Sequence, residues 1–419
     1  MSKIEEDLLF LLNFTILNFT GELPMSKVLS GLDHLKLYNN RHFPEKMALL
    51  CHAASVDHKI NHAITIVKEK FGSRLTKIFS PQHGLVGNVQ DNMVESDHFI
   101  HPYFKLPVFS LYSETRSPKE EWLHDVDAII VDLQDVGTRI YTYIYTLSLL
   151  MEKAQNCKKR VIVLDRPNPI GGVDIEGNIL ESEFKSFVGL HELPVRHGLT
   201  IGEFALYARD QFYPHLDLQI VPMLGWERWM NYEDTKLPWV LPSPNLATPD
   251  AAFTFVGSVI FEGTNVSEGR GTTRSLEILG HPKIEAFSFA EIAQKALKTS
   301  DLEGCALRPV TFLPTFQKHA GLDCGGVQIH VTNRKTFKSW KVSQILCREF
   351  YRLLGENFKW KQPPYEYEYK KLPIDLINGN AKLREWVEKD GSIEELNAIE
   401  NHENKLEKYN VLRKAFYLY

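Results

Sequence analysis

The segment EGTNVSEGRGTT carries two acids six residues apart, Glu262 and Glu268, with Asn265 between them and Arg270 just beyond. Two carboxyls in such a glycine-rich loop can flank a scissile glycosidic bond, and the guanidinium can hold an anionic substituent. A second segment, DLQDVGTRIYTYIYT, sets Asp132 and Asp135 at and just past a β-type run, followed by Arg139, Tyr141 and Tyr143. Carboxylates, a cation and aromatic faces suit a carbohydrate, which needs hydrogen bonds to its hydroxyls and stacking on its apolar ring face. The structural alternative makes Asp135 a helix cap and the tyrosines packing. LDRPNPIGG places Asp165, Arg166 and Asn168 in a proline-stiffened turn, which either binds with little entropy loss or uses its Asp-Arg pair to shape itself. LPSPNLATPD supplies Ser243 and Asn245 as a second wall, and SPQHGLVGNVQD supplies Gln82 and His83 in what is either a reaction centre or a polar turn.

These residues need elements to hold them. Short apolar runs, MALLCHA, LTKIF, PVFSLY, DAIIVDLQD, RVIVLDRPN and LQIVPML, alternate with helical patterns over 59–71, 142–155 and 200–212. That alternation predicts βα units and a mostly parallel sheet, and runs such as AIIVDL, with no polar alternation, predict strands covered on both faces. Ligands of such sheets lie beyond the carboxyl ends of the strands. Four strand-end loops therefore qualify: 80–91, 132–139, 165–172 and 262–273, the last read as following a strand VGSVIF. Past about residue 290 the pattern changes to an irregular LRPVTFLPTFQKHAGLDCGG, a strand GVQIHVTN, a helix over 342–354 and a charged helical tail, predicting a smaller α+β unit. The fold expected is α/β: an extension over 1–27, a Rossmann-like catalytic domain over 28–290 and an auxiliary α+β domain over 291–419.

Composition narrows the function classes. The chain has 419 residues, 43% of them hydrophobic, and 48 basic against 53 acidic residues give a net charge of −5. With no run of lysine or arginine to neutralise phosphates, nucleic acid is not an expected partner. No GxxxxGK[ST] and no strand-GxGxxG-helix context is present, which argues against nucleotides. The five cysteines lack CxxC spacing and read as reduced, packed thiols, so a metal is not expected, and with no nucleotide motif no cofactor is expected. The apolar run LLFLLNFTILNF over 8–19 follows Glu5, Glu6 and Asp7, the wrong charge for a signal peptide, and asparagines interrupt it. It reads as a packed helix without a membrane span, and the expected location is the cytoplasm.

The motifs SPQHG, LPVFSLYSETRSP, DLQDVGTRIYTYIYT, VLDRPNPIGG, SFVG, HGLTIGEFA, GWERWM, PSPN and EGTNVSEGRGTT, in this order, resemble the NamZ-type exo-β-N-acetylmuramidases, a glycoside hydrolase family. The resemblance covers the chain from about Val28 to its carboxyl end. It implies a Rossmann-like domain with a smaller carboxyl-terminal one, a site in the cleft between them, and release of N-acetylmuramic acid from the non-reducing end of peptidoglycan fragments. It implies no nicotinamide and no metal. It also accounts for the arginines, since muramic acid carries a lactyl carboxylate.

The chain departs from the family at one position. The first motif there reads Pro-Glu-His-Gly and its glutamate is the favoured catalytic carboxylate, whereas this chain has Gln82. An amide does not serve as a proton donor or acceptor in acid-base catalysis. Three accounts stay open: catalysis by Asp132, Asp135, Glu262 or Glu268 with Gln82 positioning water or sugar; attack by the substrate's own 2-acetamido group; or a non-hydrolytic protein that binds wall fragments. His83, beside the altered residue, is either a hydrogen-bonded structural histidine or a proton carrier.

Overall fold

The computed structural model describes residues 27–88, 90, 93–400 and 404–419, so the run 8–19 read as a packed helix lies outside the described residues. The chain is α/β, as expected. Strands β1 (Met47–Cys51), β2 (Leu75–Ser80), β3 (Phe99–Ile100), β4 (Pro107–Ser110), β5 (Ala128–Asp132), β6 (Arg160–Leu164) and β7 (Leu218–Val221) form one sheet in the order β3-β4-β2-β1-β5-β6-β7. All neighbours pair in parallel except β3, a two-residue strand that runs antiparallel on β4. The apolar runs of β1 and β5 are buried at every position, as a sheet covered by helices on both faces requires. From β1 the chain winds out through β2 and β4, then returns to β5 on the other side. The loops after β1, β2 and β5 therefore open onto one crevice, the switch point where such sheets bind ligands.

The helices that cover this sheet start where side chains satisfy their first N–H groups. The helix Ile201–Phe212 opens on a capping box, Thr200 with Glu203, and Thr200 Oγ1 also donates to Asp165 at 2.8 Å. The helix Tyr143–Asn156 begins inside the tyrosine motif, so its first turn carries the motif to the crevice.

A second, antiparallel sheet joins β8 (Ile278–His281), β9 (Cys305–Phe312) and β10 (Cys324–Val331) in the order β8-β10-β9. The stretch LRPVTF, read as irregular, is part of β9. Proline is tolerated there because β9 is an edge strand, with Pro309 opposite Val327. A second correction concerns VGSVIF, which is not a strand: Pro249–Ser258 is a helix and Val259–Gly263 continues it as a 3₁₀ turn. Thr248 accepts from the Ala251 N–H and Pro249 occupies the first turn, both start signals. The helix is buried from Ala251 to Ser258, so it is apolar all round and its composition mimics a covered strand.

One hydrophobic core joins the two sheets, running from Val131 and Val163 through Phe253 and Phe255 to Phe289, Val327 and Trp340. The helices Pro249–Ser258 and Ser339–Leu354 touch at Gly257, where a Cβ would lie 2.0 Å from the Ser339 carbonyl oxygen. Only glycine permits that approach.

Candidate active site

At the crevice, segments from separate parts of the chain enclose an inner pocket. Gln82 and His83 come from the loop after β2; Tyr141, Thr142 and Tyr143 come from the start of the helix that follows β5. Ser243, Glu262 and Arg270 come from the proline-rich and glycine-rich loops, and Tyr365 and Glu366 from the carboxyl-terminal part of the chain. Apolar residues, among them Ile140, Val188, Leu246 and Phe255, form its floor. About 50 Å³ of room is left inside, enough for water but not for a sugar ring.

The polar groups of the pocket form a connected set. Glu262 receives Arg270 Nη2 at 2.5 Å on one oxygen and the Tyr365 hydroxyl at 2.8 Å on the other. Tyr143 donates to the Pro242 carbonyl at 2.8 Å, and the Tyr141 hydroxyl faces Ser243 and Tyr143. The Gln82 amide bridges: its Oε1 accepts from Thr142 Oγ1 at 2.7 Å and its Nε2 donates to Glu366 Oε1 at 3.4 Å. Tyr112 donates its hydroxyl to the other Glu366 oxygen at 2.9 Å. Burial raises the Glu366 carboxyl to about 7, with nearby Glu262 adding to the rise and the Tyr112, Gln82 and Arg116 contacts opposing it. Glu366 is 4% exposed.

Backbone geometry at Glu366 is unusual. Tyr365 and Glu368 exchange N–H to carbonyl bonds of 2.9 Å in both directions, closing a two-residue turn. Both central residues, Glu366 (φ 44°) and Tyr367 (φ 68°), lie in the left-handed region that Asn-Gly ordinarily fills. Outside this turn is a groove of about 620 Å³, bordered by Ser113, Arg116, Lys185, Phe187 and Tyr367, and Glu366 borders it as well as the inner pocket. Arg116 lies between the rings of Tyr112 and Tyr367, 4.1 and 4.0 Å from their centroids.

Of the residues singled out in the sequence, Gln82, His83, Tyr141, Tyr143, Ser243, Glu262 and Arg270 line the pocket together. The others take structural partners beyond its walls. Asp132 and Arg166 form a buried two-pronged ion pair, 2.5 and 2.7 Å, and Arg166 also donates to the Val56 carbonyl. Asp135 accepts from the Gly137 N–H at 2.7 Å, turning the chain rather than capping a helix. Arg139, with no exposed surface, donates to the carbonyls of Asn178, Leu193, Ile377 and Asn378. Burial lowers its guanidinium to about 10. Asp165 accepts from the Arg166 and Gly202 N–H groups and from the Thr200 and Tyr419 hydroxyls. Burial, with Glu203 nearby, raises it to about 7.

Asn168 bonds the Leu199 carbonyl and the Ile170 N–H. Asn245 donates to Gln90 and accepts from Ser275, and Asn265 ties the Asn357 carbonyl to the Lys359 N–H. Burial opposes ionisation of Glu268, but Lys318 at 2.7 Å and Arg270 at 3.0 Å hold it below the usual carboxylate range. Glu268 thus orients Arg270 from behind the pocket.

The groups missed in the sequence are Tyr365 and Glu366. Glu366 lies 284 residues beyond Gln82, in a segment between the helix over 342–354 and the helical tail that the sequence leaves unassigned. The available signal is the run PPYEYEY, acids alternating with tyrosines after paired prolines, although its period of two reads as a strand and the structure makes it a turn. One group of possible metal ligands, Asp33, Asp57 and His58, lies away from the pocket. It is internally satisfied: Lys36 Nζ is 2.5 Å from Asp57, His58 Nδ1 is 2.6 Å from Asp33, and Asp33 completes the Ser30 capping box.

Comparison with known proteins covers almost the whole chain. Residues 47–250 match the family model of exo-beta-N-acetylmuramidase NamZ, N-terminal, and residues 253–419 that of exo-beta-N-acetylmuramidase NamZ, C-terminal. The chain is 38% identical over 403 residues to the peptidoglycan beta-N-acetylmuramidase NamZ of Bacillus subtilis (strain 168), covering 96% of this chain and 93% of that protein. Two crystal structures of DUF1343 family proteins from Bacteroides fragilis are similar in fold. One has a TM-score of 0.82 at 29% identity, covering 94% of this chain and all of the other; the second has a TM-score of 0.70 at 25% identity, covering 94% and 99%.

Proposed function

The chain belongs to the NamZ exo-β-N-acetylmuramidase family, and from that premise we propose that it is a glycoside hydrolase releasing N-acetylmuramic acid, or a close 2-acetamido sugar, from the non-reducing end of peptidoglycan fragments. The observation that carries this reading is the shape of the crevice: a small pocket lined by carboxyls and tyrosines lies beside a wide outer groove, and Glu366 borders both. Such a site takes one terminal residue inward and leaves the remaining saccharide outside, which is exo action. Seating a ring requires the pocket walls to part, since the room inside is about 50 Å³. Glu262, fixed by Arg270 and Tyr365, then faces the sugar as an oriented acceptor, and Tyr141 and Tyr143 offer aromatic surface.

Incubation with a chromogenic N-acetylmuramide, and separately with the N-acetylglucosaminide, tests the proposal between pH 5 and 8. Release from the muramide is expected; absence of release from both rejects it. Gln82 motivates a second reading, a non-hydrolytic binder of wall fragments, and calorimetry showing tight binding of a muramic disaccharide without turnover would favour that reading. Among the described residues no helix is long and apolar enough to cross a membrane. All five cysteines are free thiols, which supports a reducing compartment, and the proposed location is the cytoplasm. Recovery of the protein only outside the inner membrane on fractionation would refute that placement.

A further inference from the structure

We infer that Glu366 is the proton donor of this site, standing where the bond is cut, and that the groove outside it receives the leaving group. The inference rests on the glycosidase reading above and deepens it. Glu366 borders both the inner pocket and the outer groove. A bond joining a sugar in the first to a saccharide in the second must pass over this carboxyl. Among the described residues that line the pocket, the other carboxyl, Glu262, is engaged on both oxygens by Arg270 and Tyr365. Glu366 is contacted by neutral donors, the Tyr112 hydroxyl and the Gln82 amide. Burial at this position also raises its carboxyl to about 7, so that a substantial share holds the proton near neutral pH, as acid catalysis needs.

The backbone supplies a separate reason. Two successive non-glycine residues with positive φ are strained, and the turn holds them where the two compartments meet. In the step, the Glu366 proton moves to the glycosidic oxygen as the C1–O bond breaks and its electron pair passes to that oxygen. A water oxygen then bonds to C1 and releases a proton that restores Glu366. Net, one water is consumed.

A leaving-group series on the full chain tests this. Aryl N-acetylmuramides that depart easily, such as the dinitrophenyl compound, need little protonation, whereas a methoxyphenyl compound or a disaccharide needs it fully. Glu366→Gln is expected to lower kcat/KM by about a thousandfold on the poor leaving groups and by tenfold or less on the dinitrophenyl compound, and to abolish the alkaline limb of the pH profile. The unaltered protein gives an independent readout: its alkaline limb near pH 7 should be steep for the disaccharide and shallow for the dinitrophenyl compound. Equal losses on all leaving groups, an unchanged rate on the disaccharide, or a limb indifferent to the leaving group overturns the assignment while leaving the activity standing. No release of any leaving group by the unaltered protein overturns both.

Discussion

At the scale of single residues, the departure from the family at position 82 has a partner across the pocket. An amide accepts from Thr142 with its oxygen and donates to Glu366 with its nitrogen, and a carboxylate cannot do both. Gln82→Glu would set two carboxyls against each other in a buried place, so activity between pH 6 and 8 should fall; a gain above tenfold contradicts this account. Glu366 also leaves a mark on stability. Its carboxyl is raised from an ordinary 4.5 to about 7, so the folded chain holds a proton that the unfolded chain gives up in that interval. The contribution is complete below about pH 4.5 and is lost as pH rises through 7, for a total on the order of 3 kcal/mol. Asp165, raised to about 7 from 3.8, acts in the same direction. The melting temperature should therefore decline from pH 5 to pH 8, and Glu366→Gln should flatten the decline and exceed the unaltered protein in Tm at pH 8. A decline equally steep in the variant would show that the carboxyl does not carry the effect.

At the scale of elements, acids at the strand ends are tied into the framework around the crevice. Asp132 ends β5, and Arg166 follows β6; their ion pair locks the two adjacent strand ends, and Arg166 reaches the Val56 carbonyl beyond β1. Removing one partner of a buried pair strands the other, so Asp132→Asn should cost about 3 kcal/mol or more of stability in denaturant unfolding. Turnover by the fraction that stays folded should change only severalfold, in contrast to Glu366→Gln. A thousandfold fall in turnover with unaltered stability would return Asp132 to the chemistry. The Thr200 cap belongs to the same scale, since its hydroxyl accepts from the Glu203 N–H and donates to Asp165. Thr200→Val, which keeps the shape, should cost about 1–2 kcal/mol by losing the cap.

At the scale of the whole molecule, the site and the stability both depend on the carboxyl-terminal part folding back onto the first sheet. Arg139 holds the carbonyls of Ile377 and Asn378, the Tyr419 hydroxyl donates to Asp165, and the Leu418 N–H bonds Glu203. Residues 27–250 produced alone should therefore lack hydrolysis and be cleaved readily by protease; a stable, active fragment would contradict the single continuous core. The sequence alone determined the layers, because hydrophobic periodicity is local: covered strands such as AIIVD and VIVL, their helices and the loops at their carboxyl ends are legible in runs of a dozen residues. It also determined the family, through motifs in order. It could not separate Asp132, a satisfied ion pair, from Glu262, a pocket wall, because both are acids in loops and only the path of neighbouring segments decides what each one meets. VGSVIF was misread for a related reason, since burial on every side erases the period that tells helix from strand. Glu366 was missed for a different reason, being set against Gln82 by a long-range closure and raised in pKa by burial, a property of its surroundings that no residue type carries.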